Sequence, residues 1–434
     1  MKRFVIFVLR ILTKTILAKY KPDVIGITGS VGKTTTKDAV DLVLRHKKRV
    51  RSAENSMNSE IGVPLTVIGK ENPCKSIVGW LRVFAKAIAL LVKKDQQYPE
   101  VLVLEMAADK RGDIGYLCDM AHPRIGIVTA ITPVHLHQFR SIEGVAKEKK
   151  KLLQSLPRTG VAILNGDDEI VSAMKKDTEA RVVLYGLDHA DVGAVDVSMR
   201  YKDGENFYER INGLGFKLLV KESVTPVVLP ATVGYHHLYS VLAAVAVGLE
   251  YGMNPIEIAD QLQQFKSGAG RLRLLRGIHN SVILDDSYNS SPSAVMRGLE
   301  ALCDLKDPVA QSHRRIAVLG DMLELGGFSE EAHHQVGKKC AELRVDLLVT
   351  VGNAAKDIGL SAHDAGMGED TIMYFETCAQ AAEYLKQEIR ILDIMLIKGS
   401  QGIRMERITK EVMADPDQAQ ELLPRQSDWW RKKP

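Results

Sequence analysis

Residues 26–40, GITGSVGKTTTKDAV, restrict the possible folds more than any other stretch of the chain. An apolar run, DVIGITG (23–29), leads into glycines, a lysine and three threonines, and then into a helical pattern. That order describes a strand, a turn that can cradle phosphate, and a helix N-terminus. Gly32, Lys33 and Thr34 match the end of a G-x-x-x-x-G-K-[ST] loop. Ile27 stands where the first glycine belongs, with Gly26 one place earlier. Gly29 and Gly32 let the backbone curl, so that N–H groups around Ser30 and Val31 face phosphate oxygens. Lys33 supplies positive charge and Thr34 a hydroxyl for Mg²⁺, and Thr35 is expected to bind the nucleotide with them. Such a loop needs a metal-holding carboxylate at the end of a neighbouring strand. Glu105 closes the buried-strand pattern EVLVLE and is the candidate.

Apolar runs alternate with helical patterns along most of the 434 residues, which argues for βαβ units and parallel sheets. The expected fold class is α/β: a P-loop ATPase-type central domain with a mostly parallel sheet, plus a Rossmann-like doubly wound C-terminal domain. The expected divisions are a basic amphipathic helix at 1–20, a central domain at 21–270 and a C-terminal domain at 271–434. Residues 188–230 carry β-type residues around glycine turns and read as a small antiparallel patch. The second half lacks G-x-G-x-x-G after its first strand, so it shows no dinucleotide fingerprint.

A net charge of +4 is too small to argue for nucleic acid, and no RNA-recognition signature is present. Five widely spaced cysteines fit reduced thiols in the cytoplasm. The N-terminal stretch is apolar but interrupted by Arg10 and Lys14, too short a run to span a membrane. Phe4, Phe7, Val8, Ile11, Leu12 and Ile16 can share one helical stripe. That stripe packs on the domain, touches a membrane surface through residues 1–19 as a basic amphipathic helix, or binds a partner.

The loop TGSVGKTTT resembles that of the Mur ligase family, the ATP-dependent amide-forming enzymes of peptidoglycan precursor synthesis. NSEIGVPLTVI (58–68), LEMAADKRGDI, ITPVHLHQFRSIEGVAKEKKKLL, GAGRL, LDDSYNSSP, AVLGDMLELG and LIKGSQGIRME follow in the order of that family's MurF branch, from about residue 22 to 410. The resemblance implies a reaction. ATP phosphorylates a carboxylate to an acyl phosphate, and an amine displaces the phosphate to leave an amide. In the MurF branch the substrates are a UDP-N-acetylmuramoyl-tripeptide and D-alanyl-D-alanine.

It also implies roles. Thr34 and Glu105 would hold one Mg²⁺; His135, in TPVHL, and a carbamylated lysine, aligned to Lys149, would hold a second. Lys33, Glu105, His135 and Lys149 would thus be the catalytic set. Lys147, Lys150 and Lys151 crowd Lys149, and the cluster also reads as a solvated helix face. His236, His237, Arg271 and Asp286 would meet the nucleotide. Asn58, Tyr288, Asn289, Pro292, Lys398 and Ser400 would line the substrate cleft. Domain closure is expected, to bring Arg271 and Asp286 to the nucleotide.

The chain departs from the pattern at Ser59, Ala130, Lys151, His237 and Ser240, the last two replacing asparagines. The family usually carries an N-terminal domain of roughly 80–100 residues that grips the UDP-sugar, whereas this sequence places only a basic helix before the loop. Three arrangements are open: the remaining domains or a partner hold the UDP group, the acceptor differs, or the helix brings the protein to a membrane-bound acceptor. Competing readings are a related ligase with another acceptor and a non-catalytic nucleotide-binding scaffold.

Overall fold

The computed structural model describes residues 2–53, 57–132, 136–188, 190–310, 313–427 and 430. By contacts the chain forms two units. Unit 1 holds residues 1–196, 216–227 and 238–264; unit 2 holds 197–215, 228–237 and 265–434. Unit 2 therefore takes 197–215, 228–237 and 265–270 from the region expected to be wholly central.

The first sheet runs in the order β2-β3-β1-β4-β5-β6-β7-β8-β9. Its strands are β1 (Asp23–Thr28), β2 (Val50–Ser52), β3 (Val101–Glu105), β4 (Ile125–Val128), β5 (Val161–Asn165), β6 (Arg181–Gly186), β7 (Val192–Tyr201), β8 (Ile211–Val220) and β9 (Ser223–Pro230). From β2 to β7 the pairing is parallel. Every residue of β3, β4 and β5 is buried. Strands covered on both faces read as continuous apolar runs, which is why the sequence shows them without alternation. The region 188–230 is not a separate patch. Its strands extend the same sheet, and β7, β8 and β9 each run through residues of both units.

Four helices of unit 1 come first: α1 (Lys2–Tyr20), α2 (Lys33–Leu44), which opens directly after the phosphate loop, α3 (Gly62–Ile68) and α4 (Ile77–Val92). A fifth, α5 (Asp113–Ala121), receives α1. Leu9 and Ile16 of α1 are fully buried, and Arg10 and Lys14 pair with Asp119 of α5 at 2.6 and 2.8 Å. The single apolar stripe expected for α1 is thus divided: Ile16 joins the core, while Phe4, Phe7 and Ile11 stay exposed. No described helix is long and apolar enough to cross a membrane.

The second sheet, in unit 2, has the order β10-β11-β15-β12-β13-β14. Its strands are β10 (Arg273–Arg276), β11 (Val282–Asp286), β12 (Arg315–Gly320), β13 (Leu347–Val351), β14 (Ile372–Phe375) and β15 (Ile394–Lys398). All pairs are parallel except the edge pair β10–β11. Apolar clusters pack on both faces of this sheet, as in a doubly wound fold.

Candidate functional site

The parallel register of unit 1 sets Ile27 of β1 beside Glu105 of β3 and Thr28 beside Val128 of β4. The loop that follows β1 is therefore bounded by the ends of both neighbours. Ser30 N–H donates to the Ala130 carbonyl at 2.7 Å, and the Ser30 hydroxyl donates to the Thr132 carbonyl and accepts from Thr132 N–H. Thr129 donates to the Val31 carbonyl at 2.6 Å. The contacts of Ser30 with Ala130 and Thr132 use main chain on the β4 side, so the Ala130 side chain is not needed for them. A Cβ on Gly29 would lie 2.0 Å from Thr129 Oγ1, and Gly29 has φ 145°. Glycine is required there on both counts.

Lys33 Nζ donates to the carbonyls of Gly29 and Ser30 at 2.8 and 2.9 Å. Thr34, at the start of α2, donates to Glu105 Oε2 at 2.8 Å. Asn58 donates to the other oxygen, Oε1, at 2.8 Å. One buried carboxylate thus joins the loop helix to the NSEIG segment. Thr35 is buried in the same turn, and Thr36 donates to Ser240 at 3.1 Å. Ser240, a departure from the family pattern, therefore packs against α2.

The lysine cluster separates by burial. Lys147 is exposed, Lys150 pairs with Asp177 at 3.0 Å and Lys151 with Glu148 at 2.6 Å. Lys149 is buried, with its pKa pushed down to about 7. Burial is the main cause and the Lys33 charge the second; Glu148, Asp109 and Asp113 oppose them. A lysine so placed carries a large uncharged fraction near neutral pH. Glu148 itself went unnoticed in the sequence. Its carboxylate accepts from Gly112 and Ile114 N–H at 2.9 Å each, closing the N-terminus of α5. Its position one residue before Lys149 gave no sign of that. His135 lies outside the described residues.

Unit 2 gathers a second group. Neighbouring registers on β11 and β15 place Asp286 beside Lys398. Lys398 Nζ donates to Asp286 Oδ2 at 2.6 Å and to the Asn289 carbonyl at 3.0 Å. Leu272 N–H donates to the other Asp286 oxygen at 3.1 Å. Burial raises the Asp286 pKa, while Lys398 pulls the other way. The Arg271 guanidinium lies 4.2 Å from the Tyr288 ring centre, a cation–π contact. Ser400 accepts from Leu323 N–H at 2.8 Å, and Pro292 opens the helix Pro292–Asp304.

The two histidine rings lie tilted against each other, ring centres 4.3 Å apart, in the first turn of the helix His236–Glu250. His237 is buried, with Nε2 3.3 Å from the Ser267 hydroxyl and no partner on Nδ1. Burial, then the Arg271 charge, brings its pKa down to about 4. That of His236 is also lowered, first by burial, then by His237.

Arg425 is a contributor the sequence did not announce. It donates to the Tyr288 carbonyl at 2.7 Å and to Glu406 at 2.8 Å, and its guanidinium lies 5.5 Å from the Tyr288 ring centre. It fixes the loop between Asp286 and Asn289 from a point 137 residues further along the chain.

Comparison with known proteins gives the chain, rather than the single residues, a family frame. Residues 83–248 match the model of the Mur ligase middle domain, and residues 270–401 that of the Mur ligase, glutamate ligase domain. The UDP-N-acetylmuramoyl-tripeptide–D-alanyl-D-alanine ligase of Mycobacterium tuberculosis is 31% identical over 408 residues, covering 90% of this chain and 73% of that protein. The Bacillus subtilis enzyme of the same name is 28% identical over 406 residues, covering 93% and 79%. The crystal structure of MurF ligase from Thermotoga maritima in complex with ADP shares the fold, with a TM-score of 0.73 at 24% identity over 94% of this chain and 83% of that one.

Proposed function

This chain belongs to the Mur ligase family, and from that premise we propose that it is an ATP-dependent, ADP-forming ligase joining D-alanyl-D-alanine to a UDP-N-acetylmuramoyl-tripeptide. The peptide carboxylate attacks the γ-phosphorus and ADP leaves. The amine nitrogen of the dipeptide then attacks the acyl carbon, phosphate leaves, and the nitrogen gives up its proton to form the amide. Both attacks bring electron-rich groups to a crowded anion, so the site must supply positive charge and fixed donors.

The observation that carries this reading is the Glu105 carboxylate bound by Thr34 and Asn58 beside the phosphate loop. Among the described residues, no three His, Cys, Asp or Glu side chains group as metal ligands. A hydroxyl, a carboxylate and phosphate oxygens form instead the hard oxygen set that suits Mg²⁺. Thr34 and Glu105 would hold that ion, which neutralises charge on the phosphates. Lys33 would take γ-phosphate charge. Lys149 fits a carbamate, because a buried amine with its pKa pushed down to about 7 is about half unprotonated at neutral pH and can react with CO₂. Its carbamate would provide, with His135, the ligands for a second ion. His236, His237, Arg271 and Asp286 would serve the nucleotide; Tyr288, Asn289, Pro292, Lys398 and Ser400 would shape the substrate cleft. The exposed apolar side of α1, with Phe4, Phe7 and Ile11, supports peripheral contact with a membrane.

Phosphate release from ATP tests the proposal, with the UDP-muramoyl-tripeptide and D-alanyl-D-alanine each omitted in turn. Dependence on both is expected. Turnover that ignores the dipeptide, or occurs only with other acceptors, would overturn the assignment.

A further inference from the structure

We infer that α4 joins α1 in a single seating face for an anionic phospholipid surface. This rests on the reading of α1 as a membrane-contacting helix and adds a second helix to it. Val83, Ala87 and Leu90 of α4 enter the same core cluster as Leu9 and Ile16 of α1. The two C-terminal ends are tied together: Lys19 Nζ donates to the Leu90 and Leu91 carbonyls at 2.9 and 2.8 Å, and the Tyr20 hydroxyl to the Leu90 carbonyl at 2.9 Å. The helices are neighbours in one unit.

Their outward sides are the unusual part. Of 16 large apolar side chains exposed among the described residues, eight lie on these two helices. Three are Phe4, Phe7 and Ile11. The other five are Ile77, Val78, Leu81, Ile88 and Val92, between 54% and 82% exposed. At about 100° per residue these five fall within one sector of roughly 100°. A helix that covers a core normally turns charge to the solvent; α4 turns Ile, Val and Leu. Trp80, half-buried, donates its ring N–H to the Cys74 carbonyl at the start of the helix. An amphipathic ring of this kind suits the level of lipid headgroups.

Charge decides the occupant. α1 and α4 together contain seven basic residues (Lys2, Arg3, Arg10, Lys14, Lys19; Arg82, Lys86) and no acidic one. Lys75, Lys93 and Lys94 flank α4, against Glu71 and Asp95. Asp119 pairs with Arg10 and Lys14, and Asp95 with Lys86, so these cations are partly offset and the edge is positive in excess. An apolar strip with such an edge matches a surface that is oily within and negative at its edge. Neither helix crosses the bilayer; both lie along it.

Flotation of the full chain with vesicles tests this. The protein should float with vesicles of phosphatidylcholine and phosphatidylglycerol in equal parts, remain behind with phosphatidylcholine alone, and be released by high salt. Phe4→Ser/Phe7→Ser/Ile11→Ser and Ile77→Ser/Leu81→Ser/Ile88→Ser should each weaken binding roughly tenfold or more. The substituted side chains are exposed, so phosphate release in vesicle-free buffer should be unchanged; that assay reports on the ligase reading independently. If the α4 variant floats like the parent while the α1 variant does not, the role of α4 is overturned and that of α1 stands. If the parent floats with neither vesicle, or self-associates through α4 instead, the membrane face is overturned altogether.

Discussion

Thr34 donates its hydroxyl to Glu105 across 2.8 Å, although 71 residues separate them in the chain. A carboxylate already fixed by a threonine of the loop helix is oriented before any cation arrives. Glu105→Gln should keep the fold and lower turnover on the order of 10²-fold or more. Asn58→Ala, which frees the other oxygen, should weaken Mg²⁺ dependence by about 10–100-fold, as loss of an outer partner does. Initial rates against Mg²⁺ concentration measure both. Unchanged Mg²⁺ curves in the two variants would sink the metal assignment.

Lys149 gives a pH dependence with a definite sign. Its folded pKa of about 7 lies below the ordinary 10.5. Between those values the unfolded chain binds the extra proton, so the Lys149 contribution to stability rises with pH across the window and is weakest below about 7. The unprotonated amine, and with it carbamate, should grow over the same rise. Carbon-13 NMR with labelled bicarbonate should show a carbamate signal at pH 8, little at pH 6, and none in Lys149→Ala. Acetate should restore part of that variant's turnover. A signal that survives Lys149→Ala would assign the carbamate elsewhere.

His237 should behave as a neutral ring through the whole physiological range. Its folded pKa of about 4 lies below 6.5, so the unfolded state binds more protons between them. Stability from His237 is complete above 6.5 and is lost as pH falls toward 4. His236 acts in the same direction. His237→Asn should flatten the acid side of the stability curve, measured by urea unfolding at several pH values. An acid slope equal to the parent's would refute this.

The Asp286–Lys398 pair is buried, with Lys398 2% exposed. Lys398→Met leaves a carboxylate without its cation and should cost about 3–5 kcal/mol in denaturant unfolding. Asp286→Asn combined with Lys398→Met should recover part of that loss, since the two side chains are coupled. A double variant no more stable than Lys398→Met alone would show that the pair is not the source of the cost.

The strands that carry the site were legible because they are buried on both faces and short. DVIGIT, VLVLE and IMLIK leave little choice of structure once a phosphate loop or a polar turn follows. The Thr34–Glu105 pairing was legible for the same reason, as a motif followed by a strand-end acid. Other features depend on what lies opposite in space. β10 is four residues, RLLR, paired antiparallel at an edge, and its sequence resembles many turns. α4 is apolar around most of its circumference, so periodicity could not say which side faces the core. The repeated lysines after Glu148 left the register of Lys149 open, and burial alone singles it out. Arg425 reaches the Tyr288 loop only because the tail folds back, which no local pattern records.

The spacing between the phosphate loop and Glu105 is set by adjacent strands in register, not by the chain that joins them. Roughly 4.8 Å separates such neighbours whatever the connection. The part of that connection between α3 and β3, which lies beyond Thr34 and Asn58, can therefore lengthen, shorten or take on a new element without moving the loop away from Glu105. α4 sits within that stretch. A chain built this way can acquire a new address in the cell through its connection while the reacting atoms keep their places.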